Sequence, residues 1–117
     1  IDEENERSKL VNTFQEYQKE ALKTSVYPKK YAISYPALGL AEEAGEVAGK
    51  IKKMMRDGIP LEEQKEKIEL EMGDVLWYLA NLAHDCGISL DRVVNKNLEK
   101  LHDRQKRGQL HGEGDNR

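Results

Sequence analysis

The chain has 117 residues, of which 38% are hydrophobic and 35% are charged, so it is long enough for one domain with a modest core. Its formal net charge of −3 argues against a general nucleic-acid binder, whose surface would be clearly basic. No apolar run approaches the ~20 residues that span a bilayer, no signal peptide is recognisable, and the single Cys86 cannot form an internal disulfide. We therefore expect a soluble cytoplasmic protein without a membrane partner.

The first part of the chain predicts a helix, an irregular connection and a second helix. Residues 5–24 carry apolar side chains at the helical period, at Leu10, Phe14, Tyr17 and Ala21. Two prolines, Pro28 and Pro36, predict that residues 25–37 form a loop. A second helix fits residues 37–56, where the apolar period resumes.

The second part predicts two more helices and a tail. The third helix fits residues 60–86, which begin charged and become almost wholly apolar. A fourth helix, capped by Ser89 or Asp91, should run to about residue 107. The segment after it is rich in glycine and has little to bury, so we expect it to be extended or disordered.

These elements predict an all-α fold, because no stretch alternates between apolar and polar residues as a strand would. We assign residues 1–110 to a single domain resembling a four-helix bundle and residues 111–117 to a flexible tail. A small, highly charged domain buries little apolar surface by itself. We therefore expect a homodimer or homotetramer in which oligomerisation completes the core.

Two of the predicted helices each carry acidic residues on one face. At about 100° per residue, the second helix places five charged residues on one side, which are Glu42, Glu43, Glu46, Lys50 and Lys53. The third helix repeats the pattern with Glu71, Asp74, Tyr78 and Asn81. If the two faces meet, carboxylates ~5 Å apart repel by about 3 kcal/mol at an effective dielectric near 20. Protons or a cation must relieve this repulsion, and all-oxygen ligands favour Mg²⁺ or Mn²⁺.

Three glycines interrupt the second helix, at Gly39, Gly45 and Gly49. Each costs about 1 kcal/mol relative to alanine in a helix interior. We interpret all three as places where the two acidic helices approach closely enough for their carboxylates to share an ion.

Other interpretations of the acidic pattern stay open at this point. In a chain with 35% charged residues, a pair of glutamates on a helix is commonly a solvated face. A ferritin-like di-metal bundle would need ExxH pairs on two helices, and the sequence offers only Glu99 and His102. A non-catalytic helical partner protein would stay stable, or become more stable, when Glu43 or Glu71 is neutralised, whereas a metal site would lose divalent-cation affinity.

The acidic residues also form a recognisable motif. EEAGE at 42–46 is followed after 24 residues by EMGD at 71–74. This pair resembles the EExxE…ExxD signature of the MazG-type nucleotide pyrophosphohydrolases of the all-α nucleoside triphosphate pyrophosphatase superfamily, and the resemblance extends over about residues 30–110. It implies a Mg²⁺-dependent enzyme that hydrolyses a nucleoside triphosphate between its α and β phosphates. The products would be the monophosphate and pyrophosphate. The expected role is the clearing of damaged or surplus nucleotides, and the hydrolysis of signalling nucleotides stays open as an alternative.

The resemblance implies roles for individual residues. The metal ligands would be Glu43, Glu46, Glu71 and Asp74. Glu42 and Glu46 are the expected catalytic residues, Glu42 by binding a further ion or by orienting the attacking water. Substrate contacts are expected from side chains on the acidic face of the second helix and on the third and fourth helices, namely Lys50, Lys53, Tyr78, Asn97, Lys100 and Arg104.

The remaining aromatic and terminal residues carry weaker expectations. Trp77 points away from the acidic face and is expected to pack in the core. Tyr31 and Tyr35 could stack on a nucleobase or simply fix the loop. The end of the tail resembles relatives in which a C-terminal arm lies across a neighbouring subunit, where Asn116 and Arg117 would complete its site.

Overall fold

The computed structural model describes residues 10–114, which form four α-helices with no strand among them. The helices are α1 (Phe14–Leu22), α2 (Ser34–Asp57), α3 (Leu61–Asp85) and α4 (Leu90–Lys106), and a 3₁₀ turn (Lys29–Tyr31) lies between α1 and α2. The prediction of an all-α fold is confirmed. Within the described range, none of the helices is long and apolar enough to cross a bilayer.

Side-chain caps set where two of the helices begin. The Thr13 hydroxyl accepts a hydrogen bond from the Glu16 N–H at 3.0 Å, so α1 begins after Thr13, later than predicted. The first part of the predicted helix, residues 5–9, lies outside the described residues. Ser89 caps α4 in the same way by accepting from the Arg92 N–H at 3.1 Å, which confirms one of the two predicted caps.

The second helix begins three residues earlier than predicted, at Ser34, so the loop prediction for residues 25–37 was wrong at its end. Pro36 is the third residue of α2, where a backbone N–H would have no partner within the helix, so its missing N–H removes no hydrogen bond. The helix ends at Asp57 because Gly58 adopts the left-handed conformation, with φ of 66°. Since α3 follows after a short turn, α2 and α3 form an antiparallel hairpin.

The central helix of the fold is α3. Its hairpin partner α2 packs along it, while α1 and α4 pack against its C-terminal part and against each other. The buried core lies where these last three helices meet and comprises Ala21, Ala80 and Leu90, surrounded by the partly buried side chains of Tyr17, Trp77, Leu79 and Val93. The acidic residues of the hairpin lie near the middle of α2 and α3, outside this core.

A buried glutamine connects the three helices of the core. Gln18 on α1 is only 3% exposed. Its side-chain amide donates to the carbonyls of Ala80 and Ile88, both at 3.1 Å, and its oxygen accepts from the Leu90 N–H at 3.0 Å. Because Leu90 is the first residue of α4, this bond satisfies a donor that has no acceptor within its own helix.

The hairpin leaves large apolar side chains exposed in the single chain. Leu38 and Met55 on α2 are 73% and 81% exposed, and Leu70 and Met72 on α3 are 67% and 55% exposed. The radius of gyration is 17.2 Å, whereas a compact chain of this length has about 13 Å. One copy of the chain therefore does not cover the apolar surface of its own hairpin.

Candidate active site

Three carboxylates from the two helices of the hairpin lie together. Glu43 on α2 and Glu71 and Asp74 on α3 each offer an oxygen, and these oxygens all lie within 4.8 Å of one another. Glu71 and Asp74 share a face because they are three residues apart, and the hairpin places Glu43 opposite them. Glu43 and Glu71 are half-buried, whereas Asp74 is exposed. The two halves of the acidic motif thus meet in space, and we call these three residues the acidic cluster.

The acidic cluster holds more negative charge than its surroundings stabilise. Burial raises the pKa of Glu43, and a hydrogen bond with the Glu71 carboxyl and the charges of Asp74, Glu71 and Glu42 raise this pKa further. The nearby Lys50 compensates part of the charge, with its Nζ atom 3.8 Å from Glu71 Oε1.

The donor atoms of the acidic cluster fit a hard divalent cation. All three are carboxylate oxygens, and neither histidine nor cysteine is among them. Mg²⁺ binds oxygens at about 2.1 Å in an octahedron, so neighbouring ligands on one ion lie roughly 3 Å apart, and small side-chain movements would bring the cluster to that spacing. Three carboxylates also leave coordination positions for water and for phosphate oxygens. The cluster can therefore hold the metal ion that the resemblance implies.

The other acidic and basic residues predicted on α2 lie around this cluster. Glu46, the fourth predicted metal ligand, is exposed and lies outside the set of oxygens within 4.8 Å. It is one helical turn beyond Glu43 and adds no fourth ligand oxygen to the cluster. Glu42 and Lys53 are also exposed. The catalytic and substrate-binding roles of these residues stay predictions.

A cavity of about 230 Å³ lies next to the acidic cluster and is lined by Tyr35, Leu38, Gly39, Glu42 and Tyr78. The pKa of Tyr78 is raised by burial, by a hydrogen bond with Tyr35 and by the negative charges of Glu43 and Glu42, which shows how close this wall lies to the acids. Since a cavity of roughly 150 Å³ holds a benzene ring, this cavity has room for a planar aromatic group. The structure thus places a predicted substrate contact, Tyr78, beside the cluster.

One of the three helix glycines allows the close approach that the sequence predicted. A Cβ atom at Gly39 would overlap the Tyr78 ring, so the close approach of the two helices is confirmed there, while the sharing of an ion stays a prediction. The interpretation was wrong for Gly45 and Gly49, where a Cβ atom would meet no other atom within 4 Å. These two glycines face open space in the single chain because α3 does not cover their side of α2.

The cavity wall continues into a stack of tyrosines before α2. The rings of Tyr27 and Tyr35 are stacked with their centroids 4.8 Å apart, and the Tyr35 and Tyr78 centroids are 6.2 Å apart. Asp85, the last residue of α3, accepts hydrogen bonds from the Tyr27 hydroxyl at 2.7 Å and from the Ile33 N–H at 3.0 Å. Tyr35 therefore belongs to both the cavity and the connection that precedes α2.

The predicted contacts on the fourth helix lie in another part of the chain. α4 packs on α1 and α3 and, among the described residues, makes little contact with α2. Asn97 and Lys100 are exposed. Arg104 is 4% exposed and donates to the Gly114 carbonyl at 3.3 Å. A single chain therefore does not bring these three residues to the acidic cluster, and their role as substrate contacts stays a prediction.

The segment after α4 folds back on the end of that helix. The Gln109 N–H donates to the Arg104 carbonyl at 2.7 Å, and the Gly112 N–H donates to the Gln109 carbonyl at 3.3 Å. Asn116 and Arg117, predicted to reach a neighbouring site, lie outside the described residues. The flexibility of residues 111–117 stays a prediction.

A family model for the MazG nucleotide pyrophosphohydrolase domain matches residues 35–108, which is more than half of the chain. The chain belongs to the MazG family. It is also 41% identical over 109 residues to the Gene 37 protein of Mycobacterium phage L5, an alignment that covers 86% of this chain and 96% of that protein. No solved structure gives a significant match.

The MazG match begins at Tyr35 and so includes the acidic cluster and the whole cavity wall of α2 and α3. Tyr27 and Ile33 precede the matched range. The prediction that Trp77 packs is confirmed, because it borders the core and its Nε1–H donates to the Thr24 hydroxyl at 2.7 Å. The histidines of the MazG domain, His84 and His102, are exposed and do not join the acidic cluster.

Sequence reasoning missed two residues beside this MazG site, Tyr27 and Asp85. The signal for Asp85 was present, because it is the next acid after Asp74 and follows a long apolar stretch, where a solubilising charge is unexpected. For Tyr27 no periodicity was available, since it lies in an irregular connection whose path depends on contacts with α3.

Proposed function

We propose that this MazG domain is a Mg²⁺-dependent nucleoside triphosphate pyrophosphohydrolase, which hydrolyses its substrate between the α and β phosphates to the nucleoside monophosphate and pyrophosphate. One observation carries the proposal. Three carboxylate oxygens from the two halves of the acidic motif lie within 4.8 Å of one another, beside a cavity of about 230 Å³ walled by tyrosines. A triphosphate bound through a metal ion at the acids would place its nucleoside near that cavity.

Glu43, Glu71 and Asp74 would hold the metal ion. When bound, Mg²⁺ supplies positive charge that neutralises the phosphate oxygens and favours deprotonation of water. The carboxylates set the position of the phosphate chain because they belong to two helices packed along their length. Mn²⁺ has similar ligand preferences and is expected to substitute for Mg²⁺.

Lys50 and Glu42 have complementary roles in this proposal. Lys50 Nζ lies 3.8 Å from Glu71 Oε1, so its ammonium group is in reach of a phosphate oxygen bound at the same place. Glu42 lines the cavity on the side of the acids, where its carboxylate could accept a proton from the attacking water. Water supplies one hydroxyl to the phosphorus that it attacks, and the other phosphate leaves with the bridging oxygen.

The proposal is tested by product analysis. The purified protein is incubated with Mg²⁺ and a panel of standard and modified ribo- and deoxyribonucleoside triphosphates, and the products are separated by ion-exchange chromatography. We expect monophosphate and pyrophosphate, with turnover lost in Glu71→Gln and retained in the control Glu66→Gln, an exposed acid on the same helix. Diphosphate and phosphate would contradict α–β cleavage. Absence of turnover together with Fe²⁺ binding would favour the di-metal bundle instead.

The physiological role is part of the same proposal. An enzyme that converts nucleoside triphosphates to monophosphates would remove damaged or surplus nucleotides from the pool. The ranking of substrates in the product assay addresses this role, because a pool-clearing enzyme should prefer a modified base or a particular deoxynucleotide over the common ribonucleotides.

We also propose that the enzyme is a homodimer or homotetramer assembled through the hairpin. The exposed apolar side chains of α2 and α3 and an apolar groove lined by Ala44, Val47, Met72 and Val75 support a second copy of the chain as the occupant. Analytical ultracentrifugation tests this arrangement. We expect Met72→Glu to shift the protein towards monomer, and an unchanged sedimentation coefficient would place the interface elsewhere.

A further inference from the structure

The connection before α2 contains a strained residue. Ile33 has φ of 70° and ψ of −58°, and it is the only residue other than glycine with positive φ in the part of the chain that the structure describes. The Ser34 N–H donates to the Ala32 carbonyl at 2.8 Å, which closes a γ-turn around Ile33. A β-branched residue is rare in this conformation, so surrounding contacts must hold it there.

The contacts that hold this turn converge on one carboxylate oxygen. Asp85 Oδ2 accepts from the Ile33 N–H at 3.0 Å and from the Tyr27 hydroxyl at 2.7 Å. These donors lie on either side of the 3₁₀ turn, Tyr27 before it and Ile33 after it, at the start of α2. The carboxylate therefore attaches the connection to the end of α3. Burial is the largest cause of the raised pKa of Tyr27, which is about 12, and the hydrogen bond to Asp85 raises this pKa further.

The attachment determines where one wall of the cavity lies. Tyr35 follows the strained turn by two residues, and its ring stands between Tyr27, at 4.8 Å, and Tyr78, at 6.2 Å. Tyr35 and Tyr78 both line the cavity beside the acidic cluster. If the turn relaxed to negative φ, the start of α2 would rotate and the Tyr35 ring would leave its place against Tyr78.

We propose that Asp85 is a positioning residue for the nucleoside part of the substrate: by holding the turn at Ile33 and the Tyr27 hydroxyl, its carboxylate keeps the Tyr35 ring in the wall of the cavity. The identity of the ligand as a nucleotide rests on the proposed function. The geometry carries the inference, because Asp85 lies at the end of α3 opposite to its charged N-terminal half and joins the connection to the cavity wall without lining the cavity.

The test compares Asp85→Asn with a matched control, Asp91→Asn. Asp91 also accepts a hydrogen bond from a backbone N–H, that of Gln15 at 3.0 Å, but it lies on α4 away from the cavity. We expect Asp85→Asn to raise KM for the preferred nucleoside triphosphate about tenfold, as the loss of a charge-assisted hydrogen bond would, with kcat changed about twofold or less. Mn²⁺ affinity, measured by calorimetry, should stay at the wild-type value in both variants, and Asp91→Asn should leave KM unchanged.

A second variant and a second measurement keep the test decisive. Tyr27→Phe removes one of the two donors to Asp85 without changing ring size, and it should raise KM in the same direction if Asp85→Asn does not fold. Binding of nucleoside monophosphates, measured by calorimetry without metal, does not depend on hydrolysis and should weaken in Asp85→Asn and Tyr27→Phe alone. If hydrolysis fails but this pattern of binding holds, the proposed function is wrong and the inference stands. The inference would be overturned if Asp85→Asn and Tyr27→Phe had the same KM and the same monophosphate affinity as the wild type. It would also be overturned if the wild type bound no monophosphate at all.

Discussion

The substitution Glu43→Gln tests the central claim about the acidic cluster, because it removes one negative charge while keeping the size of the side chain. We expect it to stabilise the protein in the absence of divalent cations and to weaken stabilisation by Mg²⁺. Both effects follow from one cause, since the carboxylates that repel one another without metal are the atoms that would bind it.

The size of the effect follows from the distances. Two unit charges 4.8 Å apart repel by about 3 kcal/mol at an effective dielectric near 20 and by about 1 kcal/mol in bulk water. Glu43 and Glu71 are half-buried, and Lys50 offsets part of the charge, so the lower half of this range applies. We expect Glu43→Gln to raise the free energy of unfolding without metal by about 1–2 kcal/mol at pH 7.5.

The assay is urea denaturation at fixed protein concentration, in EDTA and again in Mg²⁺. At a Mg²⁺ concentration a hundredfold above its Kd, the wild type should gain about 2.7 kcal/mol, and Glu43→Gln should gain much less. The control Glu66→Gln, an exposed acid on α3, should match the wild type under both conditions.

The pH dependence provides an internal check. The pKa of Glu43 is raised in the folded protein, so the folded state favours its protonated form. This contribution to stability is fully present below the ordinary glutamate pKa of 4.5 and is lost as pH rises through the higher folded value. The advantage of Glu43→Gln in EDTA should therefore disappear at pH 4. A variant that is less stable than the wild type in EDTA, or that keeps the full response to Mg²⁺, would refute the reasoning.

Three further predictions concern the fold around the site. Gln18→Leu should lower the free energy of unfolding by about 1–3 kcal/mol in urea titrations, because it leaves the buried first N–H of α4 without an acceptor; a loss under 1 kcal/mol would contradict this. Gly39→Ala should destabilise by about 1–3 kcal/mol and reduce turnover because its Cβ overlaps the Tyr78 ring, while Gly45→Ala, which has open space, should stabilise by up to about 1 kcal/mol. Below pH 10, Tyr27→Phe should be less stable than the wild type by about 1 kcal/mol, a modest value because the hydroxyl is partly solvated. Since the pKa of Tyr27 in the folded protein is about 12, this difference in the free energy of unfolding should vanish between pH 10 and 12, as followed by circular dichroism.

The sequence by itself determined the helices, their order and the acidic motif. Periodicity and turn residues act over a few neighbouring positions, so the second, third and fourth helices were predicted to within a few residues. Glu43, Glu71 and Asp74 were predicted because a one-turn spacing fixes a shared face on any helix. Ser89 was recognisable as a helix cap for the same reason, since its effect is local.

Only the tertiary structure decided which residues meet across elements. It joined Asp85 to the connection before α2 on both sides of the 3₁₀ turn, and it linked Gln18 of α1 to α3 and α4; neither follows from local spacing. It also distinguished the three glycines of α2, since only Gly39 faces a ring of α3. The contacts of Asp85 and Gln18 join residues 52 to 72 positions apart in the chain, and the side-chain directions on which they depend are fixed only when the helices pack.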